Sequence, residues 1–379
     1  MPVPFPMKGE HMARSESGMP EQKAIPEPKA NILLLGGTGP LKDAAAPVLS
    51  EDVKRLFGAS GFRSGALFCD RNTHGGAGET GQNAIEWLKN TGIGLVSLCG
   101  VLQEDLQGTL DALDGVKTLG VGANQALANR AEVVSVNGVR LGFIALNECS
   151  GDRERYAPEA DILEADALDR VRKLLPQCDH IIVFSRLGIP GYGLPLPEWR
   201  ARCRRFIKAG ASVVAVMEPD ALMGWEEYEN GLILYGLGTL ADDRTDMAGR
   251  SLAVSLALKT NRAFSYEASL LETSGNSVAL CADETAKSEL NAKNALLLDE
   301  AGYLAEAERC ALKYYEDGEF ALLFGEKDER RRGPIASLLH PKSQATHREA
   351  EEQLRQLLLD ESKRRVVLSA LNRKKRDEE

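Results

Sequence analysis

From Asn31 onward the chain alternates short apolar runs with amphipathic stretches. The runs at 31–35, 66–69, 95–98, 132–136, 140–146, 180–185, 212–217 and 232–235 have the length and β-branched content of strands, several of them buried on both faces. Between them, 50–57, 81–90, 106–113, 162–175 and 197–209 carry apolar residues at helical spacing. Strand–helix alternation of this kind predicts an α/β domain around a largely buried sheet. Asn137-Gly138 lies between two alternating apolar runs, which predicts a two-residue hairpin turn and makes the sheet mixed.

Further along, 251–258 and 265–271 read as two more strands, with a turn at Ser274-Gly275-Asn276. After Asp283 the pattern becomes helical, with Leu290, Leu297, Leu304 and Ala311 as core positions. A last helix over 346–373 places Leu354, Leu357, Leu358, Val366 or Val367, and Leu371 along one side. Residues 1–29 are proline-scattered and lack an apolar period, which predicts a disordered leader. The expected organisation is therefore a leader at 1–29, a domain at 30–282 and an α-helical C-terminal extension at 283–379.

Composition narrows the function. With 379 residues, 43% of them hydrophobic, a sizeable core can form, and a net charge of −10 disfavours nucleic acid as a partner. No run approaches a membrane span and the N-terminal stretch has no apolar signal region, so a cytoplasmic protein is expected. Seven cysteines without C-x-x-C spacing read as reduced thiols. Only five histidines are present, His11, His74, His180, His340 and His347, so an imidazole-rich metal centre has few candidates.

Individual motifs carry little. Gly36-Gly37-Thr38-Gly39 follows a strand and invites a nucleotide- or sugar-nucleotide-binding loop, but Pro40-Leu41-Lys42 replaces the third glycine of a dinucleotide fingerprint, and the spacing does not fit a P-loop. His74 lies in a polar, glycine-rich loop and His180 at a strand edge. Asp242, Asp243 and Asp246 lack the ligand ladder of a calcium loop and read as a solvated acidic segment. Ser97 and Ser185 end strands outside any G-x-S-x-G elbow.

The strand ends in order are more informative. Ser97-Leu98-Cys99, Gly120-Val121-Gly122-Ala123-Asn124 with Gly138–Phe143, Val183–Gly188, Ala209–Val214 with Pro219, and Leu234-Tyr235-Gly236-Leu237-Gly238 resemble the CapA family, bacterial capsule and poly-γ-glutamate synthesis proteins. The resemblance spans roughly 31–243. It implies a mixed-sheet α/β fold related to the calcineurin-like metallophosphoesterases, and a role in making capsule or another surface polymer.

The family's site phrases are altered here. Its first Gly-Asp is Gly36-Gly37, its Asn-x-Glu is Asp70-Arg71-Asn72, and its Ala-Asn-Asn-His-x-x-Asp becomes 99–105, which keeps only Asp105. Its His-Trp-Gly-x-Glu becomes Arg186-Leu187-Gly188-Ile189-Pro190, and its Gly-x-His-Pro-His becomes Val216-Met217-Glu218-Pro219-Asp220. Every histidine of the family pattern is thereby replaced.

Two-metal phosphoesterases hold cations about 4 Å apart so that a bridging water becomes the nucleophile. The resemblance leaves Asp70, Asn72, Asp105, Glu218 and Asp220 around such a site, with Arg186 at a histidine position. One expectation is a catalytically degenerate binding protein with no metal, Arg186 meeting an anion. The other is an active hydrolase whose Asp70, Asp105, Glu218 and Asp220 hold Mg²⁺ or Ca²⁺. The first is preferred because ligands are lost from two separate strand ends. Expected partners are other components of a surface-polymer synthesis system or an anionic polymer. The C-terminal helices are expected to pack on their own domain or on a twin subunit in a homodimer; their basic clusters at 330–332, 363–365 and 373–376 offer a contact for an anionic polymer, phosphate or membrane surface or, by preference, a solvated face.

Overall fold

The computed structural model describes residues 7–11, 29–39, 41, 47–68, 79–147, 157–160, 167–189, 192–217, 222–242, 249–274, 277–317, 354, 357 and 360–378. The strands run in chain order as β1 (Met7–His11), β2 (Lys29–Thr38), β3 (Val48–Leu49), β4 (Phe62–Phe68), β5 (Leu95–Cys99), β6 (Lys117–Leu119), β7 (Glu132–Val136), β8 (Val139–Ala145), β9 (His180–Ser185) and β10 (Val213–Val216). They continue as β11 (Leu222–Tyr228), β12 (Gly231–Leu237), β13 (Thr239–Ala241), β14 (Gly249–Lys259), β15 (Phe264–Ser274) and β16 (Ser277–Leu280). The helices are α1 (Glu51–Gly58), α2 (Glu79–Asn90), α3 (Leu106–Ala112), α4 (Gln125–Ala128), α5 (Ala167–Leu174), α6 (Pro197–Ala209), α7 (Glu284–Leu298), α8 (Glu300–Asp317) and α9 (Glu361–Glu378).

Two mixed sheets result. One follows the order β3-β16-β15-β14-β2-β4-β5-β6, with β1 on β15 and β13 on β2; the other is β11-β12-β10-β9-β8-β7. The period of two along the buried strands decides the layering. Ile32 and Leu34 face Phe143, Ile182, Phe184, Val213 and Leu234 in the core between the sheets. Leu33 and Leu35 point the other way, onto Val53 and Phe57 of α1 and Trp87 and Leu88 of α2. Ile181 and Val183 likewise turn outward onto Trp199 and Phe206 of α6. The architecture is a four-layer α/β/β/α sandwich, the α/β class with mixed sheets that the apolar pattern predicts.

Local signals explain the element ends. Asn137 and Gly138 both take positive φ, 50° and 83°, as the expected hairpin turn between β7 and β8 requires. Ser50 caps α1 through the Val53 N–H. Pro197 opens α6 and Gly210, at φ 115°, closes it.

The expected leader needs correction. Residues 7–11, placed in a disordered leader, form β1, antiparallel to Phe264–Ala268 of β15. That half of the β15 edge is left uncovered by β16, which pairs only with Leu271–Ser274, so an extra strand gains a full row of backbone partners there. Of the helix expected at 162–175, residues 167–174 are described and form α5; of that expected at 346–373, residues 354, 357 and 361–373 are described as helical, and α9 extends past Arg373. The extension does not stand apart from the domain: Leu297, Tyr303, Ala311 and Val366 belong to the same apolar layer as Trp199 and Ile233.

The loop expected at Gly36–Gly39 is also not a loop. Strand β2 runs through Thr38, and the Gly37 and Gly39 N–H groups donate to Gly238 O (2.9 Å) and Ala241 O (2.8 Å). A Cβ on Gly36 would lie 2.6 Å from Gly238 O and 2.8 Å from the Ser251 Cβ. The glycines serve close packing of β2 against the strand ends beside it. With these N–H groups occupied, the described residues of this stretch offer no phosphate cradle, which weighs against the nucleotide-loop alternative.

Candidate functional site

Strands β2, β4, β5 and β6 are mutually parallel, as are β8, β9, β10 and β12. Their carboxyl ends lie on one side of the sandwich, and the two sheets touch there. Gly37 of β2 bonds Gly238 just past β12, and Asn147 just past β8 reaches Leu98 O of β5 through its side-chain amide (3.5 Å). The ends of all these strands thus form a single rim, the place where open α/β sheets carry their ligands.

Asn147 organises the middle of this rim. It is 1% exposed, and its Oδ1 accepts the Arg186 backbone N–H (3.1 Å) while its own N–H donates to Ala160 O (2.6 Å). Arg186 follows β9 directly. The neighbouring ends are laced together: Leu146 N–H donates to Phe184 O (2.8 Å), Met217 N–H to Ser185 O (2.7 Å), and the Ser185 hydroxyl to Leu146 O. Ser185 is buried and engaged in that bond, so its role is to tie β9 to β8.

Glu159 holds the loop after β5. Its Oε1 accepts the N–H of Gly100 (2.6 Å), a glycine at φ 70°, and the adjacent Ala157 N–H donates to Val101 O (2.9 Å). This loop leads to Asp105, on a single turn of 3-10 helix at the start of α3. Burial, helped by the neighbouring Glu104 carboxylate, raises the Asp105 pKa. One of its carboxyl oxygens is buried and takes no hydrogen bond from the described residues.

Of the expected site residues, Asp105 lies on the 3-10 turn that follows the β5 end and Arg186 on the loop after β9. Asp70, Asn72, Glu218 and Asp220 lie outside the described residues, as do His74, Asp243 and Asp246. Asp242 packs its carboxylate over Gly39, where a Cβ would run into Oδ2. His180 sits at the opposite end of β9, fully buried between the Ser212 hydroxyl (3.0 Å) and Lys259 O (2.7 Å). Burial pushes its pKa down to about 4, so it is a neutral structural histidine.

Among the described residues, no three metal-ligating side chains gather at the rim. A two-metal centre needs several oxygen or imidazole donors converging on two cations; here β2 contributes backbone already bonded to Gly238, and β9 is followed by a cationic residue. Asp105, with its unmatched oxygen, fits a single hard cation or a ligand hydroxyl. Reasoning from motifs missed Asn147 and Glu159. A polar residue ending the apolar run 141–146 was the available signal for Asn147; Glu159 had none.

The bacterial capsule synthesis protein PGA_cap family model matches residues 78–244, which include the ends of β5, β8, β9, β10 and β12. The capsule biosynthesis protein CapA of Bacillus anthracis is 26% identical over 213 residues, 52% of this chain and 49% of that protein. The chain thus spans about half the length of this curated relative. Among solved structures, a hypothetical protein from Thermus thermophilus superposes with a TM-score of 0.45 and 12% identity over 64% of this chain and 99% of that one. A novel phosphatase of Mycoplasma pneumoniae gives 0.43 and 12% over 65% and 95%. Superpositions at that level carry no argument about chemistry. The family match and the sequence relative cover most of the strand-end rim: over residues 78–244 the chain is similar to bacterial capsule synthesis proteins.

Proposed function

We propose that this chain serves bacterial capsule or surface-polymer production as a binding component, with the rim engaging an anionic group of the polymer or its precursor through Arg186. The observation that supports this is the placement of Arg186. A guanidinium-bearing residue follows the central strand β9 and is anchored by Asn147 between the two sheets. Arginine at such a position favours a carboxylate or phosphate and disfavours a bound cation. On this reading the chemistry of a two-metal phosphoesterase has been given up, and no metal cofactor is needed. The polymer is poly-γ-glutamate or an acidic polysaccharide. A cytoplasmic location is consistent with Cys99, Cys178, Cys203, Cys281 and Cys310 standing outside any disulfide. No helix among the described residues is long and apolar enough to cross a membrane.

The second reading is a metal-dependent hydrolase in which Asp105, together with Asp70, Glu218 and Asp220, holds Mg²⁺ or Ca²⁺. Its supporting observation is the buried, unmatched oxygen of Asp105. Metal analysis of protein purified without chelator, with thermal melts in Mg²⁺, Mn²⁺ and Ca²⁺, separates the two. The binding reading expects no bound metal and no shift. A shift that disappears in the double variant Glu218→Ala, Asp220→Ala would overturn the metal-free reading in favour of a metal site there.

A further inference from the structure

Helices α7, α8 and α9 of the extension leave a cleft of about 780 Å³ between them and the segment at Gly193 and Leu194. Among the described residues, four cations line it: Lys293, Arg309, Arg373 and Arg376. The arginines are each matched by a neighbouring carboxylate, Arg309 by Glu306 (2.5 Å), Arg376 by Glu308 (2.8 Å) and Arg373 by Asp377 (3.8 Å). Lys293 is not. Among the described residues it has no carboxylate at ion-pair distance, and its Nζ makes one hydrogen bond, to Leu222 O (2.6 Å). An ammonium carries three donors, so two remain beyond that bond. Lys293 is half-buried, and burial lowers its pKa despite Glu289 one turn earlier on α7. A partly desolvated cation of this kind gains most from an anion brought to it.

We infer that the cleft is a second ligand site, separate from the rim, for a small molecule bearing a carboxylate or phosphate group. The anionic group sits on Lys293, with Leu194 and Leu296 as the apolar wall beside it. The matched arginines at the mouth keep the local field from being strongly positive, which suits a compact ligand better than a polyanion.

The position of Lys293 connects the cleft to the rim. Its partner Leu222 begins β11, directly after Glu218 and Asp220 in the chain. The next residue, Asn294, accepts the Trp225 N–H (2.9 Å) and packs on Gly224, which has φ 82° and would press a Cβ onto Asn294 Oδ1. The β11–β12 register shifts at this point, between Leu222, Gly224 and Trp225. Helix α7 therefore grips a bulge at the root of the segment that carries two of the candidate rim acids.

The test is calorimetric titration of the full chain with sodium citrate and, separately, with inorganic phosphate at constant ionic strength. Saturable binding of at least one is expected, weakened about tenfold or more by Lys293→Gln and retained by Lys293→Arg and by Arg186→Gln. Citrate alone binding identifies a carboxylate site, phosphate alone a phosphoryl site. Ala292→Glu, which sets a competing carboxylate in the cleft, is expected to abolish binding and decides the matter should Lys293→Gln fail to fold. Absence of binding by both probes overturns the inference. So does binding left unchanged by both Lys293→Gln and Ala292→Glu, and if it is lost in Arg186→Gln the anion belongs to the rim.

Discussion

Asn147 and Arg186 are separated by 39 residues, yet the first fixes the backbone of the second. Asn147 also reaches Leu98 across the interface between the sheets. Removing this amide leaves buried backbone groups of Arg186 and Leu98 short of a partner, a cost of about 1–3 kcal/mol. Asn147→Ala should therefore lower the urea midpoint without changing the secondary structure seen by circular dichroism, and weaken anion binding at the rim more than at the cleft. Equal loss at both sites would show a merely global effect.

His180 makes a prediction of definite sign. Its folded pKa is pushed down to about 4, chiefly by burial, whereas an unfolded histidine titrates near its ordinary value of 6.5. Between those values the unfolded chain binds the extra proton, so the contribution to stability is complete above pH 6.5 and is lost as pH falls toward 4. The size is about 3 kcal/mol over that window. Urea unfolding at about pH 7 and about pH 4.5 should show the loss, and His180→Gln should remove most of this pH dependence.

Among the elements, α6 and β11 are joined by a buried charge network. Glu226 accepts from Arg200 (2.9 Å), from Arg204 (2.8 and 2.9 Å) and from the Tyr235 hydroxyl (2.6 Å). Burial raises the Glu226 pKa, but the bonds from Arg204, Tyr235 and Arg200 outweigh it and leave the group ionised below its ordinary range. Arg200 continues to Leu297 O at the end of α7 (2.5 Å) and to Glu300 of α8 (2.8 Å). Glu226→Gln would leave two guanidinium groups beside a neutral amide, and a loss of about 3–5 kcal/mol is expected by chemical denaturation. A change below about 1 kcal/mol would mean that water reaches this network.

The elements legible in the sequence were those whose own residues specify them. The apolar runs 180–185 and 212–217 marked β9 and β10 because side chains on both faces are buried in adjacent layers. The Asn137-Gly138 turn was legible because only certain residues accept its backbone angles. Gly36–Gly39 misled for the converse reason. Glycines that mark a turn in isolation are needed here because another backbone, at Leu237 and Gly238, crowds the strand. At the rim, the expected residues that are described, Asp105 and Arg186, were marked by the family resemblance alone. Asn147 and Glu159 act on partners distant in the chain, Leu98 and Gly100, and carry no local motif.

At the scale of the whole molecule, the sandwich and the extension share one apolar layer. Leu297, Tyr303, Ala311 and Val366 cover the face of the second sheet beside α6, and the Tyr303 hydroxyl donates to Pro195 O (2.7 Å). The Trp199 indole N–H likewise donates to the hydroxyl of Ser362 in α9. Truncation after Ala282 would expose that layer and remove two of the Arg200 guanidinium's partners, Leu297 O and Glu300, so the shortened chain should aggregate or melt well below the full one. A truncated domain with unchanged melting temperature would show that the extension only rests on the surface.

The central claim is that the rim has become an anion-binding site centred on Arg186. Its most direct test is calorimetric titration of the full chain with a γ-linked glutamate oligomer and with a uronic-acid oligosaccharide, beside Arg186→Gln and Lys293→Gln. The account predicts saturable binding of one oligomer, lost in Arg186→Gln, kept in Lys293→Gln, and unaffected by added Mg²⁺ or Ca²⁺. Binding that is intact in Arg186→Gln, or Mg²⁺- or Ca²⁺-dependent cleavage of the oligomer, would contradict it.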